Sequence, residues 1–164
     1  MRTVASEAGS VGAGGIIGPL LYEVAYADTD AGGIVYHATY LAMAERGRNH
    51  VLQKLGLPVA EMKALFGVLF IVREIWTIFY RPALVGDVLA LSSGVVSATP
   101  VRTLWRTTVT RGVDPICDVE AEVAAFDPAA GGPCLIPPDL GNLLVYAPRL
   151  APARRAPRMK AEPR

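Results

Sequence analysis

Apolar residues recur along this chain with two different periods, and the switch between them organises it. From His37 to Leu55, the residues Tyr40, Leu41, Ala44, Val51, Leu52 and Leu55 share one side at roughly 3.6-residue spacing, which predicts one long amphipathic helix. Gly56 supplies a C-terminal cap and Pro58 forbids continuation. Val59 to Leu65 fits a further helical turn. The period then becomes two. Val68 to Tyr80 is rich in β-branched and aromatic residues and stops at Pro82. Leu84 to Ala98 opens with a Gly86-Asp87 turn and continues in alternation. Arg102 to Arg111 sets Leu104, Arg106 and Thr108 on one face and Thr103, Trp105, Thr107 and Val109 on the other. Ile116 to Phe126 alternates through Val119, Ala121 and Val123, and Asp127-Pro128 closes it. Upstream, Leu20 to Ala27 reads as a short strand and Asp28 to Gly33 as a loop.

The order is therefore strand, loop, long helix, then four long strands joined by hairpin-length turns, which makes those four antiparallel. A curled antiparallel sheet needs its concave face covered, and one long central helix can cover it. The predicted class is α+β, a curved antiparallel sheet wrapped around one helix. The domain is expected over residues 19–141. Residues 1–18, rich in Gly, Ala and Ser, read as a flexible arm and not as a signal peptide, because glycines interrupt the apolar run after Arg2. Residues 142–164 read as a Pro/Arg-rich flexible tail. From Pro148 on, six cations face only Glu162, so this stretch carries a net charge of about +5 and leaves the body near −4. Lacking apolar residues to bury, the segment after Pro148 is expected to be dispensable for folding.

Composition narrows the function. Of 164 residues, 52% are hydrophobic and 19% charged, with a mean hydropathy of +0.34. That excludes a disordered chain, and the low charge content suggests apolar surface buried against another copy. A net charge of +1 gives no reason to expect a nucleic-acid partner. The sequence contains no apolar run long enough to span a bilayer. Two cysteines, Cys117 and Cys134, are too few for a disulfide scaffold and point to a reducing, cytoplasmic setting. No Walker-type loop or dinucleotide fingerprint occurs, and the histidines and cysteines are too widely spaced for a metal site.

Polar residues gather in the loop and the first turns of the helix: Asp28, Asp30, Tyr36, His37, Tyr40, Glu45, Arg46 and Arg48. A helix N-terminus offers unpaired N–H groups and a partial positive charge. An acyl carbonyl docked there is polarised, and its developing oxyanion is stabilised. A carboxylate in the preceding loop can attack that carbonyl or activate water against it. Either aspartate can equally serve as a helix cap or turn residue.

The run Tyr26-Ala-Asp28-Thr-Asp30-Ala-Gly-Gly33-Ile-Val-Tyr36-His37-Ala-Thr-Tyr40 resembles the signature of hot-dog-fold acyl-CoA thioesterases. The kinds it is most similar to are the 4-hydroxybenzoyl-CoA thioesterase family and the Tol–Pal-associated short-chain enzymes. Glu45-Arg46-Gly-Arg48 fits the same pattern, as does Tyr80-Arg-Pro82-Ala-Leu-Val-Gly86-Asp87-Val-Leu89. The resemblance covers about residues 20–140. It implies hydrolysis of a small acyl- or aroyl-CoA without metal or bound cofactor. It implies Asp30 as the catalytic carboxylate, nucleophile or general base, and the backbone N–H of His37 as oxyanion donor. The His37 ring either orients a neighbour or simply packs. Tyr36 and Tyr40 are expected to line the acyl pocket or the core, and Asp28 to form a turn. In another branch of these enzymes the carboxylate sits on the central helix, which draws attention to Glu45; pairing with Arg46, Arg48 or a second subunit is its simpler reading. For the CoA phosphates, Arg102 and Arg106 follow the Ala98-Thr-Pro100 turn where such contacts fall, with Arg73 and Arg81 as further candidates. A homodimer or homotetramer is implied, with active sites between subunits. A hot-dog hydratase or dehydratase, and a non-catalytic acyl-CoA-binding or protein-interaction module, stand as alternatives.

Overall fold

The structure, a computed structural model, describes residues 17–153. The arm up to residue 16 and the basic stretch from Arg154 onward lie outside the described residues. Among the described residues, six strands form one antiparallel sheet. They are β1 (Leu20–Glu23), β2 (Leu69–Phe79), β3 (Val88–Ala98), β4 (Arg102–Arg111), β5 (Asp114–Asp127) and the short β6 (Gly132–Pro133). The spatial order is β1-β3-β4-β5-β2, with β6 folded back on β5. The helices are α1 (Thr39–Lys54), α2 (Met62–Phe66) and α3 (Pro138–Leu144), and two 3-10 turns cover Tyr26–Asp28 and Val59–Glu61.

The alternation along the strands decides which face of the sheet meets α1. On β4, Thr103, Trp105, Thr107 and Val109 are buried, and their register partners on β5 include Val123, Ala121, Val119 and Cys117. Val51 and Leu52 of α1, with Leu55 just past its end, join Val95, Trp105 and Ala121 in one core cluster. Tyr40, Met43 and Ala44 join Leu89, Leu91, Val109 and Val119 in the other. Between the two, α1 comes closest to the sheet at Gly47, where a Cβ would strike Ser93 Oγ. The Ser93 and Thr107 hydroxyls share a hydrogen bond of 2.6 Å, and Thr107 Oγ1 donates to the Ala44 carbonyl at 3.4 Å. A buried hydroxyl pair facing a helical glycine lets backbone and sheet approach without leaving polar groups unsatisfied.

Two expectations change. The first strand ends at Glu23 instead of Ala27, because the chain turns into the 3-10 segment that Asp28 closes. The boundary at residue 141 also fails: it cuts α3, whose Leu140 and Leu144 are buried in the core together with Ala147. Beyond α3 the chain is not a free tail as far as Ala153. Strand β1 pairs with β3 only over Val88–Leu91, so the next part of that edge would be open. The strap after α3 covers it: Val95 N–H donates to the Pro148 carbonyl at 2.7 Å and Leu150 N–H to the Val95 carbonyl at 3.2 Å. The strap then crosses the outer face of the sheet, where Arg106 Nη1 donates to the Ala151 carbonyl at 2.8 Å. Ala153 N–H donates to Glu120 Oε1 at 2.6 Å. Sequence composition hid this because the strap docks largely through backbone groups, and its buried apolar side chains, Ala147 and Ala153, are too small to mark a pattern.

Gly94 permits the crossing, since a Cβ there would lie 2.5 Å from the Pro148 carbonyl oxygen. Gly94→Ala is therefore expected to push the strap off at a cost of about 1–3 kcal/mol, a fall in Tm of roughly 3–10 °C. Truncation after Ala147 should act in the same direction. Thermal melts in which both variants match the full chain would show that the strap contributes nothing.

Candidate active site

The loop between β1 and α1 is built around Asp28. Its Oδ1 accepts from the Tyr22 hydroxyl at 2.7 Å and its Oδ2 from Ala25 N–H at 2.8 Å. Its carbonyl accepts Tyr36 N–H at 2.8 Å and Thr39 Oγ1 at 3.2 Å. With both ends of the residue engaged, Asp28 is a turn former that draws the loop back onto the helix start.

Asp30 stands two residues further on and is exposed. Its backbone closes a tight reversal, with Asp30 N–H donating to the Ile34 carbonyl and Gly33 N–H to the Asp30 carbonyl, both at 3.0 Å. Gly33 makes this turn with φ of 73°, in the left-handed region that glycine tolerates best. Asp30 Oδ1 accepts Gly32 N–H at 2.7 Å; Oδ2 has no hydrogen bond among the described residues. The far side of the loop is clamped too. Ile34 bridges to Leu84, and Val35 N–H donates to the Ala83 carbonyl at 2.9 Å. The turn supplying those partners is held by Asp87, whose Oδ2 accepts Leu84 N–H at 2.8 Å and Arg111 Nη1 at 2.6 Å. The Leu84 amide, then Arg111, holds the Asp87 carboxyl below its ordinary pKa.

Helix α1 begins at Thr39, not at His37 as the spacing predicts. Thr39 N–H reaches the Tyr36 carbonyl at 2.9 Å, so His37 and Ala38 form the turn that enters the helix. The His37 amide donates to no acceptor among the described residues. The His37 ring is exposed and lies against Tyr36, ring centres 4.3 Å apart. Tyr36 is exposed beside it. Tyr40 is different: it is 3% exposed, packs edge-on against Phe79, and burial raises its phenol pKa. It belongs to the core.

The structure thus brings Asp30, Tyr36 and His37 to one end of the sheet, beside the Pro82–Asp87 turn. It does not bring Arg102 and Arg106 there within one chain. Arg102 pairs with Glu122 at 3.2 Å, at the opposite end of β4, and Arg106 pairs with Asp118 at 2.6 Å on the outer face. The eight residue steps along β4 from Arg102 to Thr110 span about 26 Å. Of the other arginines, Arg73 also pairs with Glu122, at 2.6 Å, and Arg81 reaches the Pro115 carbonyl at 3.4 Å. Cys117 is buried and its thiol is pushed up to about 12 by burial and by Asp118, so it is inert.

A cleft of about 150 Å³ opens between α1 and β2. Its floor is apolar, from Leu52, Met62, Phe70, Val72 and Trp105, and one side carries Glu45, Arg48 and Asn49. Those three with Leu52 occupy one helical face at positions 45, 48, 49 and 52, a spacing legible in the sequence. What the sequence hid was the facing wall on β2. Glu45 is exposed and makes no ion pair with Arg48.

The profile of the thioesterase-like superfamily matches residues 24–144. The acyl-CoA thioester hydrolase YbgC of Escherichia coli O6:H1 is 30% identical over 115 residues, covering 70% of this chain and 85% of that protein. Among solved structures, a probable thioesterase from Bartonella henselae superposes with a TM-score of 0.68 at 27% identity, covering 72% of this chain and 97% of that one. The 1,4-dihydroxy-2-naphthoyl-CoA thioesterase of Synechocystis gives 0.72 at 16% identity, covering 78% of this chain and 95% of that one; it shows the hot-dog fold alone.

The anchoring role of Asp87 has a pH signature. Its pKa is depressed in the folded chain, so its contribution is present above the ordinary carboxylate value of about 3.9 and is lost as pH falls through the folded value. Asp87→Asn is expected to lower stability at pH 7 by about 1–2 kcal/mol, with the difference from the parent closing below roughly pH 4. Melts over pH 3–7 measure it; a difference independent of pH would show that the charge is not what holds the turn.

Proposed function

This chain belongs to the thioesterase-like superfamily and is a thioester hydrolase, and from that premise we propose how it cleaves acyl-CoA. Asp30 is the catalytic carboxylate, and the amide of His37, where the chain enters α1, is the oxyanion donor. The observation that carries this reading is the pairing of two unspent groups on one clamped loop. The Asp30 carboxylate has one oxygen held by Gly32 and the other open, and the His37 amide has no acceptor among the described residues.

Water deprotonated by Asp30 attacks the thioester carbon. The carbonyl oxygen becomes an oxyanion facing the helix start, where the amide and the helix dipole stabilise it. Collapse expels the CoA thiolate, which takes up a proton, and the products are the free acid and CoA. In the nucleophilic variant Asp30 itself attacks, and water then hydrolyses the mixed anhydride. A single turnover in ¹⁸O-water identifies direct attack when water opens the anhydride at the Asp30 carbonyl, because the label then stays in Asp30, whereas general-base catalysis places it in the product acid. Tyr36 and the His37 ring border the reacting group.

We propose further that the enzyme is a homodimer, or a tetramer of such dimers, joined through β2. That strand is an edge of the sheet and leaves Leu69, Ile71, Ile75 and Phe79 partly exposed along it. A long apolar edge of this kind is an aggregation hazard unless it is paired. Pairing would also bring a second copy's Arg102 and Arg106 into consideration as CoA contacts, since within one chain they lie far from Asp30. Light scattering at micromolar concentration should give the mass of a dimer or tetramer; a monomer overturns this.

For the chemistry, Asp30→Asn keeps the turn and removes the charge. Turnover of acyl-CoA, followed by thiol release, should fall by about 10²–10⁴-fold with a general base in that role, and further if Asp30 attacks directly. Glu45→Gln should have the smaller effect. Retention of turnover within about tenfold in Asp30→Asn, with loss in Glu45→Gln, would move the catalyst to the helix.

A further inference from the structure

The cleft between α1 and β2 contains a cation with nothing to hold. Arg48 is partly buried in its wall, yet its guanidinium makes no hydrogen bond or ion pair among the described residues. Burial lowers its pKa, and Glu45 only partly offsets this. A guanidinium carries five N–H donors in a planar fork suited to a carboxylate, and the partly buried Arg48 fork leaves those donors to water, which a carboxylate in the cleft can replace. Asn49 adds a further donor on the same wall. The floor beneath them is Leu52, Met62, Phe70 and Trp105, which suits a hydrocarbon and not a phosphate. Glu45 is the one carboxylate on this wall; it is exposed to water, where its repulsion is screened.

We infer that this cleft receives the acyl group and that Arg48 selects acyl groups ending in a carboxylate, the monothioesters of dicarboxylic acids with CoA. The inference rests on the catalytic reading above, which puts the thioester carbonyl at the start of α1. Nine positions separate Thr39 from Arg48, ~13.5 Å along the helix axis, and the Arg48 side chain leans back toward the helix start. The remaining gap fits an acyl group of about five to eight carbons. The volume of about 150 Å³ agrees, being well below the roughly 300–1,000 Å³ of sites for drug-sized ligands.

The test compares glutaryl-, adipoyl- and suberoyl-CoA with pentanoyl-, hexanoyl- and octanoyl-CoA by kcat/KM, in the full chain and in Arg48→Met and Arg48→Lys. The ω-carboxyl substrate should be preferred by about tenfold or more in the best-fitting pair, because a charge-assisted bond is made only there. Arg48→Met should bring that ratio near one, and Arg48→Lys should restore part of it. Because both substrates are measured on the same protein, a general loss of fold or assembly lowers both rates and leaves the ratio. A parent ratio under about threefold, or one that Arg48→Met leaves within about twofold, overturns the inference, and an unchanged ratio would assign Arg48 to structure or to a contact between copies. The catalytic reading fails separately, through retained turnover of both substrates in Asp30→Asn.

Discussion

The close seating of α1 on the concave face of the sheet is the contact on which the other features depend. A helix with one apolar face needs cover along its whole length, and the sheet supplies it in two clusters, one at each end of α1. The middle is the tight point. Gly47 has no side chain to hold the helix away, and the Ser93–Thr107 hydroxyl pair turns what would be a polar defect into a satisfied contact with the Ala44 carbonyl. Once the helix is fixed there, its start is fixed at the edge of the core, where Tyr40 packs on Phe79 and the preceding residues must emerge.

That emergence separates the roles of two aspartates only two positions apart. Asp28 faces its own turn and is consumed by Tyr22, Ala25, Tyr36 and Thr39. Asp30 opens the reversal itself, where one carboxylate oxygen is bonded and the other open. The difference comes from the clamps on either side of the loop, Thr29 to Val35 and Ile34 to Leu84, which leave no freedom for the two residues to exchange places. The second clamp depends on Asp87 and Arg111, so residues more than fifty positions away in sequence hold the loop over residues 28–35 in shape. A rigid support of this kind is what catalytic positioning requires, since loosening of about 1 Å is costly in rate.

The sheet has two edges with different treatment. The β3 edge that β1 leaves open is closed by the strap after α3, through backbone bonds at Val95 and a crossing made possible by Gly94. The β2 edge remains largely apolar and uncovered among the described residues. One edge is thus protected in cis, and the other is the edge through which pairing with a second copy is proposed.

Sequence by itself determined the elements whose signal is periodic. The helix stripe, the alternation on β4 and β5, and the turn residues Gly56, Gly86 and Asp87 are local patterns, and the sheet-around-helix class follows from their order. The loop motif around Asp28 and Asp30 was also legible, because turn chemistry and a helix start are local. Turn chemistry alone suits either aspartate; the resemblance pointed to Asp30 as the catalytic carboxylate and Asp28 as the turn former, and the bonds of Asp28 to Tyr22 and Thr39 agree with the turn role. The sequence placed Tyr40 in pocket or core, and the contact with Phe79 decided for the core. The resemblance offered Arg102 and Arg106 as contacts for the CoA phosphates, and the cross-strand register adds what no local pattern shows, their pairing with Glu122 and Asp118. The sequence took residues 142–153 for a tail, although Leu144 and Ala147 pack in the core, because the docking beyond them runs through backbone carbonyls and amides that leave little apolar pattern to read. It showed the face of Glu45, Arg48 and Leu52 without the wall opposite. Pairing, burial and enclosure join residues far apart in the chain, and no periodicity within a single segment encodes its partner; that is why only the tertiary structure decided them.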